Sequence, residues 1–226
     1  NKNIKRYQLK PEEILIMADR AIERGYRTVV LQSGEDNYDR DKISWIIKKI
    51  KKNYDCAVTL SLGERDYEEY REWREAGADR YLLKHETADE ELYHKLHPGM
   101  SFQARIERLL WLKVLGYQVG SGNIIGLPGQ DENTIAKDIV LFKKLDLDMV
   151  GIGPLITHQE TPLKNINNGD LELSLKTIAI TRILMPELHI PATTALGTIS
   201  TEGRKKALEA GANVIMPNVT ELRYRL

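Results

Sequence analysis

The chain has 226 residues, 42% hydrophobic and 29% charged, and its 33 Lys+Arg balance 33 Asp+Glu to a formal charge of zero. This is the composition of a globular protein with one sizeable core; it excludes a generally basic nucleic-acid binder, and no apolar run approaches the ~20 residues of a membrane span. The single cysteine, Cys56, excludes an internal disulfide, a zinc knuckle or a thiolate-held cluster built from this chain alone, and the absence of a leader-like segment at Asn1 makes the cytoplasm the expected compartment.

Taken in order, the elements alternate between amphipathic helix and short apolar strand. Pro11 to Glu23 has helical periodicity with Ile14, Leu15, Ala18 and Ala21 on one face, and Thr28 to Gln32 is a β-branched run read as a buried strand. The unit recurs: helix Ile43–Lys52 and strand Ala57–Ser61, then helix Asp66–Glu75 and strand Arg80–Leu83. Helix Ser101–Leu115 precedes strand Val119–Ile125, and helix Glu132–Lys144 precedes strand Asp148–Ile152. Helix Leu171–Met185 with strand Pro191–Ala195, and helix Thr201–Ala210 with strand Asn213–Met216, complete the series. Alternation of this kind implies a parallel sheet with helical crossovers. Strand starts about 31 residues apart fit an α/β (β/α)8 TIM-barrel type better than an open doubly wound sheet. The barrel is incomplete: the chain opens on a helix, so the first strand is expected to precede Asn1. No low-complexity linker divides residues 1–226, which are read as one domain.

In such barrels ligands sit at the C-terminal strand ends, and those ends are rich in glycine and polar residues. They read Gln32-Ser33-Gly34-Glu35-Asp36, Ser61-Leu62-Gly63-Glu64 and Lys84-His85-Glu86-Thr87. The later ends read Gly120 to Gly129, Gly151 to Pro154, Thr193-Thr194, and Met216-Pro217-Asn218. Gly34 lets backbone approach a ligand closely, Glu35 and Glu86 can accept from an ammonium or ribose hydroxyls, and Arg105 can fork onto a carboxylate. The Gly122–Gly129 segment offers backbone on which an adenine can lie. Each residue also has a plainer reading. The glycines permit tight strand packing, the glutamates are solvated, Arg105 is a helix-surface arginine, His94 and His97 are surface histidines on a short helix, and Cys56 is an inert buried thiol. No Ser/His/Asp set, carboxylate dyad or metal-ligand set stands out, so no catalytic side chain and no metal ligand is assigned, and a cofactor is implied.

Ser33-Gly34-Glu35, Leu60 to Glu64, Arg80 to Thr87, Gly126-Leu-Pro-Gly-Gln130, Asp148 to Pro154 and Pro191 to Ala195, in that order and spacing, resemble the radical S-adenosylmethionine (SAM) enzymes of the biotin-synthase-like group. Within the group the match is to the [FeFe]-hydrogenase maturase (HydE) type, and methylornithine synthase shares several of the motifs.

The resemblance implies a SAM-binding barrel with a [4Fe–4S] cluster whose reduction cleaves SAM to a 5′-deoxyadenosyl radical. Carried over by position, it places Ser33, Gly34 and Glu35 at the SAM amino group, Glu86 near its polar groups, Arg105 near its carboxylate and Ser61 beneath the ribose. It places Ile124, Ile125, Gly126 and Leu127 on the adenine, and Thr193, Thr194 and Met216 along the substrate cavity. It implies a small iron- and cysteine-containing organometallic substrate, other hydrogenase maturation proteins as partners, and neither nucleic acid nor membrane. The family's Cys-x3-Cys-x2-Cys loop has no counterpart here. Asn1 to Tyr7 resembles the segment just downstream of it, so the ligands are expected upstream of Asn1 and this chain alone is expected to be inactive. The alternatives are an amino-acid radical mutase or synthase and a barrel without a cluster serving as a scaffold.

Overall fold

The computed structural model describes residues 7–35 and 38–221. Asn1 to Arg6, most of the segment matched to the cluster-loop flank, lie outside the described residues, as does Asp36. Five strands, β1 (Thr28–Gln32), β2 (Ala57–Ser61), β3 (Arg80–Leu82), β4 (Gln118–Ile125) and β5 (Met149–Pro154), lie in one sheet in sequential order. Sequential order with parallel pairing is the arc of a βα barrel. The helices are α1 (Pro11–Glu23), α2 (Arg40–Asn53), α3 (Tyr67–Glu75), α4 (Glu90–Leu96), α5 (Phe102–Val114), α6 (Glu132–Lys144), α7 (Leu171–Leu184), α8 (Thr194–Ile199) and α9 (Gly203–Glu209).

The chain packs as two compact units. One comprises Lys5–Leu83, Arg108–Val119 and Pro217–Leu226. In it β1 pairs with β2 from Thr28↔Ala57 to Gln32↔Ser61, and β2 with β3 through Leu60↔Tyr81. Pro11 opens α1 without losing a needed hydrogen bond, and the Asp39 carboxylate caps α2 by accepting from the Asp41 and Lys42 amides. Ile46, Ile47 and Ile50 of α2 and Trp73 of α3 are buried with Val58, Leu60 and Tyr81, an apolar stripe on each helix meeting an apolar sheet face. Tyr70 and Tyr81 meet edge to face at 4.9 Å, and Tyr81 donates its hydroxyl to the Gly63 carbonyl at 2.9 Å. At the other end of these strands Lys51 bridges the Cys56 carbonyl and Asp79, while Asp79 accepts from the Val58 amide.

Among the described residues, the second unit comprises Lys84–Glu107 and Gly120–Met216. β4 and β5 run in register from Gly120↔Met149 to Ile125↔Pro154. Gly122 stands opposite Gly151, and a Cβ on Gly122 would lie 2.1 Å from the Gly151 carbonyl oxygen. The close pairing therefore requires glycine at that position. Asp131 and Asp170 cap α6 and α7.

The sixth and seventh strands read from sequence reduce to isolated bridges, Met149↔His189 and Pro191↔Val214. Pro191 has no N–H to extend the ladder, and Thr193 and Thr194 turn the chain into α8. The path is still that of a parallel strand, since Ala192 donates to the Val214 carbonyl and Asn213 to that of Ile190.

Candidate functional site

In the first unit the ends of β1 and β2 are tied together. The Ser33 amide donates to the Ser61 carbonyl at 2.9 Å, and the Ser33 hydroxyl donates to the Gly34 carbonyl. Glu35 accepts from the Glu64 amide through Oε2 at 2.8 Å. That oxygen sits where a Cβ on Gly63, at φ +77°, would lie 2.2 Å away. Gly63 thus serves twice, supplying a left-handed turn and leaving room for the carboxylate. Glu64 in turn meets Arg108 at 3.4 Å. Gly34 and Glu35 are exposed and Ser61 half-buried, so Ser33, Gly34, Glu35 and Ser61 form one rim.

The second unit holds the other predicted residues. Glu86, half-buried, adopts φ +68°, a left-handed conformation that non-glycine residues rarely take. It is held there by two backbone bonds, its N–H to the Gly122 carbonyl at 2.9 Å and its C=O from the Ile124 amide at 3.0 Å. Burial pushes the Glu86 carboxyl up, but the hydrogen bond from His97 and the charges of Lys84 and Arg105 outweigh it and hold the group below its ordinary range. His97 Nε2 lies 3.4 Å from Glu86 Oε2, and its ring stacks on Tyr93 at 4.4 Å with 17° between planes. The Glu86 hydrogen bond raises the His97 pKa against the opposing effect of burial. Arg105 is buried in α5, not on a helix surface, and donates through Nε to the Tyr93 hydroxyl at 3.2 Å. Lys84 donates to the Asn123 carbonyl at 2.9 Å, and burial pulls its pKa down.

Beneath Glu86 lies a buried polar lattice that sequence reading missed. The wholly buried Asp138 of α6 accepts from the Ala88 amide at 2.5 Å and from Asn123 Nδ2 at 2.8 Å, and stands 3.6 Å from His85 Nε2. His85 Nδ1 contacts the Ser121 hydroxyl at 2.8 Å.

The segment expected to face adenine splits by burial. Ile125 and Leu127 are buried, Leu127 packing with Leu92 and Leu155, whereas Ile124 and Gly126 are half-buried. Gln130 already occupies part of its backbone, accepting from the Gly126 amide at 2.7 Å and donating to the Ile124 carbonyl at 2.8 Å. Thr193 caps α8 with its Oγ1 buried and without a hydrogen-bond partner among the described residues. Thr194 is exposed and accepts from Arg204 at 3.3 Å, and Met216 is half-buried beyond the Pro191↔Val214 bridge.

Sequence reading missed His97 as a partner of Glu86, having placed it on the surface; Tyr93, four residues earlier with an aromatic ring, was the available signal. His94 is exposed, as expected. Cys56 is buried, and burial pushes its thiol pKa up. No group of three or more His, Cys, Asp or Glu among the described residues is placed to hold a metal ion, and no helix among them is long and apolar enough to cross a membrane.

Parallel βα architecture, with polar residues at the strand ends of each unit, is that of a TIM-type barrel fold. The chain belongs to the radical SAM superfamily, whose family model matches residues 1–142. It is 55% identical over all 226 residues to the [FeFe] hydrogenase maturase subunit HydE of Thermotoga maritima, covering 65% of that protein. It is 33% identical over 215 residues to 3-methylornithine synthase of Methanosarcina acetivorans, spanning 94% of this chain and 61% of that one. Among solved structures, that of methylornithine synthase (PylB) matches with a TM-score of 0.85 at 30% identity, covering 94% of this chain and 63% of that one. The structure of HydG, a maturase of the [FeFe]-hydrogenase, matches with a TM-score of 0.79 at 20% identity over 95% of this chain and 51% of that one, a likeness of fold. The chain spans less than two thirds of the length of the curated relatives named here.

Proposed function

We propose that residues 1–226 form the SAM-binding barrel domain of a cytoplasmic radical SAM enzyme that acts in [FeFe]-hydrogenase maturation on a small iron- and cysteine-containing precursor, alongside other maturation proteins. The observation that carries this reading is 55% identity to HydE across every residue of the chain. The residue types suit the groups of SAM: in the first unit the Ser33–Glu35 rim offers acceptors of the kind an ammonium needs, and in the second Arg105 offers the forked cation a carboxylate needs. Glu86, ionised and aimed by its backbone, accepts from the ligand's remaining donors. Ser61 lies under the ribose, and Ile124, Gly126 and their buried neighbours Ile125 and Leu127 form the adenine wall. Bound SAM supplies a radical initiator; these residues bind and orient it. The described residues do not fit the [4Fe–4S] cluster, because they contain one cysteine, buried and with a raised thiol pKa, and no metal-holding group.

Thr193, Thr194 and Met216 line the proposed substrate end. The buried Thr193 hydroxyl, lacking a partner among the described residues, is a donor suited to a compact anion. An amino-acid substrate, the reading favoured by the PylB likeness, needs charged groups for both of its ends. Calorimetric titration of the intact protein with SAM tests the binding reading. Binding that weakens at least about tenfold in Arg105→Ala and Glu86→Ala, each removing a charge-assisted hydrogen bond, supports it, and wild-type affinity in both variants defeats it. Formation of 3-methylornithine by the intact enzyme would transfer the substrate assignment to the second reading.

A further inference from the structure

The contacts of His97 carry a consequence for Glu86. The ring has two nitrogens, and each faces an acceptor. Nδ1 lies 3.2 Å from the Tyr93 carbonyl oxygen, and Nε2 lies 3.4 Å from the Glu86 carboxylate. A carbonyl and an ionised carboxylate only accept. A neutral imidazole carries one N–H, so either tautomer would set a bare nitrogen lone pair against one of these oxygens. The doubly protonated ring satisfies both. The Tyr93 ring, stacked at 4.4 Å, fixes the plane in which the two bonds lie.

We propose that His97 is a positioning residue that works as an imidazolium, orienting the Glu86 carboxylate toward bound SAM, and that its deprotonation strips the charge assistance from that bond, loosens the carboxylate and makes SAM affinity depend on pH. This rests on the reading of Glu86 as a SAM-binding group. The charged neighbours are few. Glu86 is faced by Lys84 on its own segment, His97 at the end of α4 and Arg105 from α5. His97 is faced by Glu86 and Arg105. Asp138 of α6 acts on Lys84, and His94 is exposed with its Nδ1 near the Met100 carbonyl. The raised His97 pKa and lowered Glu86 pKa agree in direction with the geometry. Lys84 and Arg105 remain when His97 deprotonates, so the carboxylate stays ionised and loses orientation, not charge.

The test has two arms in the intact protein. First, the His97 ring is titrated by 15N-correlated NMR, with and without Glu86→Gln. The proposal expects the midpoint to fall in the variant, and an unchanged midpoint overturns it. Second, SAM affinity is measured by calorimetry from about pH 6 to about pH 9, spanning the range in which a raised histidine titrates. Wild type should weaken about tenfold across the range, the worth of one charge-assisted hydrogen bond. His97→Arg, a permanent cation, should keep the acid-side affinity with a flat profile, and His97→Gln should be flat at the weaker level. A wild-type profile retained in His97→Gln overturns the proposal. If wild type binds no SAM at any pH, the assignment of the site to SAM fails, while the first arm still decides whether the imidazolium pair exists.

Discussion

Replacing Asp138 with alanine tests whether the lattice beneath Glu86 holds that segment in place. Asp138 is wholly buried, and it is the acceptor for the Ala88 amide at 2.5 Å and for Asn123 Nδ2 at 2.8 Å. Alanine offers no acceptor, and the fully buried Asn123 has no water to turn to. An orphaned buried donor costs about 1–3 kcal/mol, so two cost about 4 kcal/mol together, a large part of the roughly 5–15 kcal/mol that holds a domain folded. With a urea slope of about 3 kcal/mol per molar, the midpoint should fall by about 1.3 M. Asp138→Asn keeps one acceptor but sets an amide N–H against the other donor, so about half that loss is expected. Native-state hydrogen exchange gives the local readout, and the Ala88 amide should lose protection in Asp138→Ala. Because Ala88 lies two residues beyond Glu86, SAM affinity should fall in Asp138→Ala although Asp138 is assigned no ligand contact. A midpoint within about 0.2 M of wild type, with Ala88 still protected, would refute the reasoning.

Gly122→Ala puts a Cβ 2.1 Å from the Gly151 carbonyl oxygen across the β4–β5 pair. Overpacking against backbone should cost about 3 kcal/mol or more and lower Tm by about 10 °C; an unchanged melting curve would show that the strands separate freely. Gln130→Ala removes the acceptor of the Gly126 amide and the donor to the Ile124 carbonyl. Hydrogen exchange at Gly126 should accelerate with a loss of about 2 kcal/mol, and unchanged exchange there counts against Gln130 as the brace of the Ile124–Leu127 segment. The Glu86–His97 pair makes stability depend on pH. His97 is raised, so its contribution is full below about pH 6.5 and is lost as pH rises through the raised value. Glu86 is lowered, so its contribution is full above about pH 4.3 and is lost as pH falls through the lowered value. The stability difference between wild type and Glu86→Gln, from urea titrations, should peak between those limits and shrink on either side. A difference that stays constant into the alkaline range contradicts the pairing.

The barrel was legible because its signals are local. Pro11 and Asp131 mark helix starts by single-residue chemistry, and both helices run over the residues their periodicity predicts. The strands at Thr28 and Ala57 are short β-branched runs whose apolar side chains have one place to go. The sixth strand was misread because the β-branched Thr193–Thr194 pair starts α8 and Pro191, without an N–H, ends the ladder. The rim at Ser33–Glu35 and Ser61 was legible from glycine and polar residues clustered at strand ends. Burial of Arg105, stacking of His97 on Tyr93 and the Asp138–Ala88 bond were not. Those depend on residues up to 50 positions apart meeting in the fold, and no periodicity records such meetings.

Glu86 shows how backbone and charge divide the work of placing a carboxylate. Its left-handed conformation costs about 1–2 kcal/mol. Bonds to Gly122 and Ile124 fix the main chain, and Asp138 anchors Ala88 two residues on. Gly122 reaches the Glu86 amide from a strand that only glycine lets pack so closely on β5. Strain of this kind persists where the surroundings over-determine it. With the backbone fixed, the direction of the carboxylate depends on few groups, and His97 is the one whose charge changes near neutral pH. The frame is therefore rigid in its peptide groups and adjustable in one side-chain charge. A substitution in the frame should change stability and affinity together, whereas a substitution at His97 should change the pH profile of affinity with a smaller effect on folding.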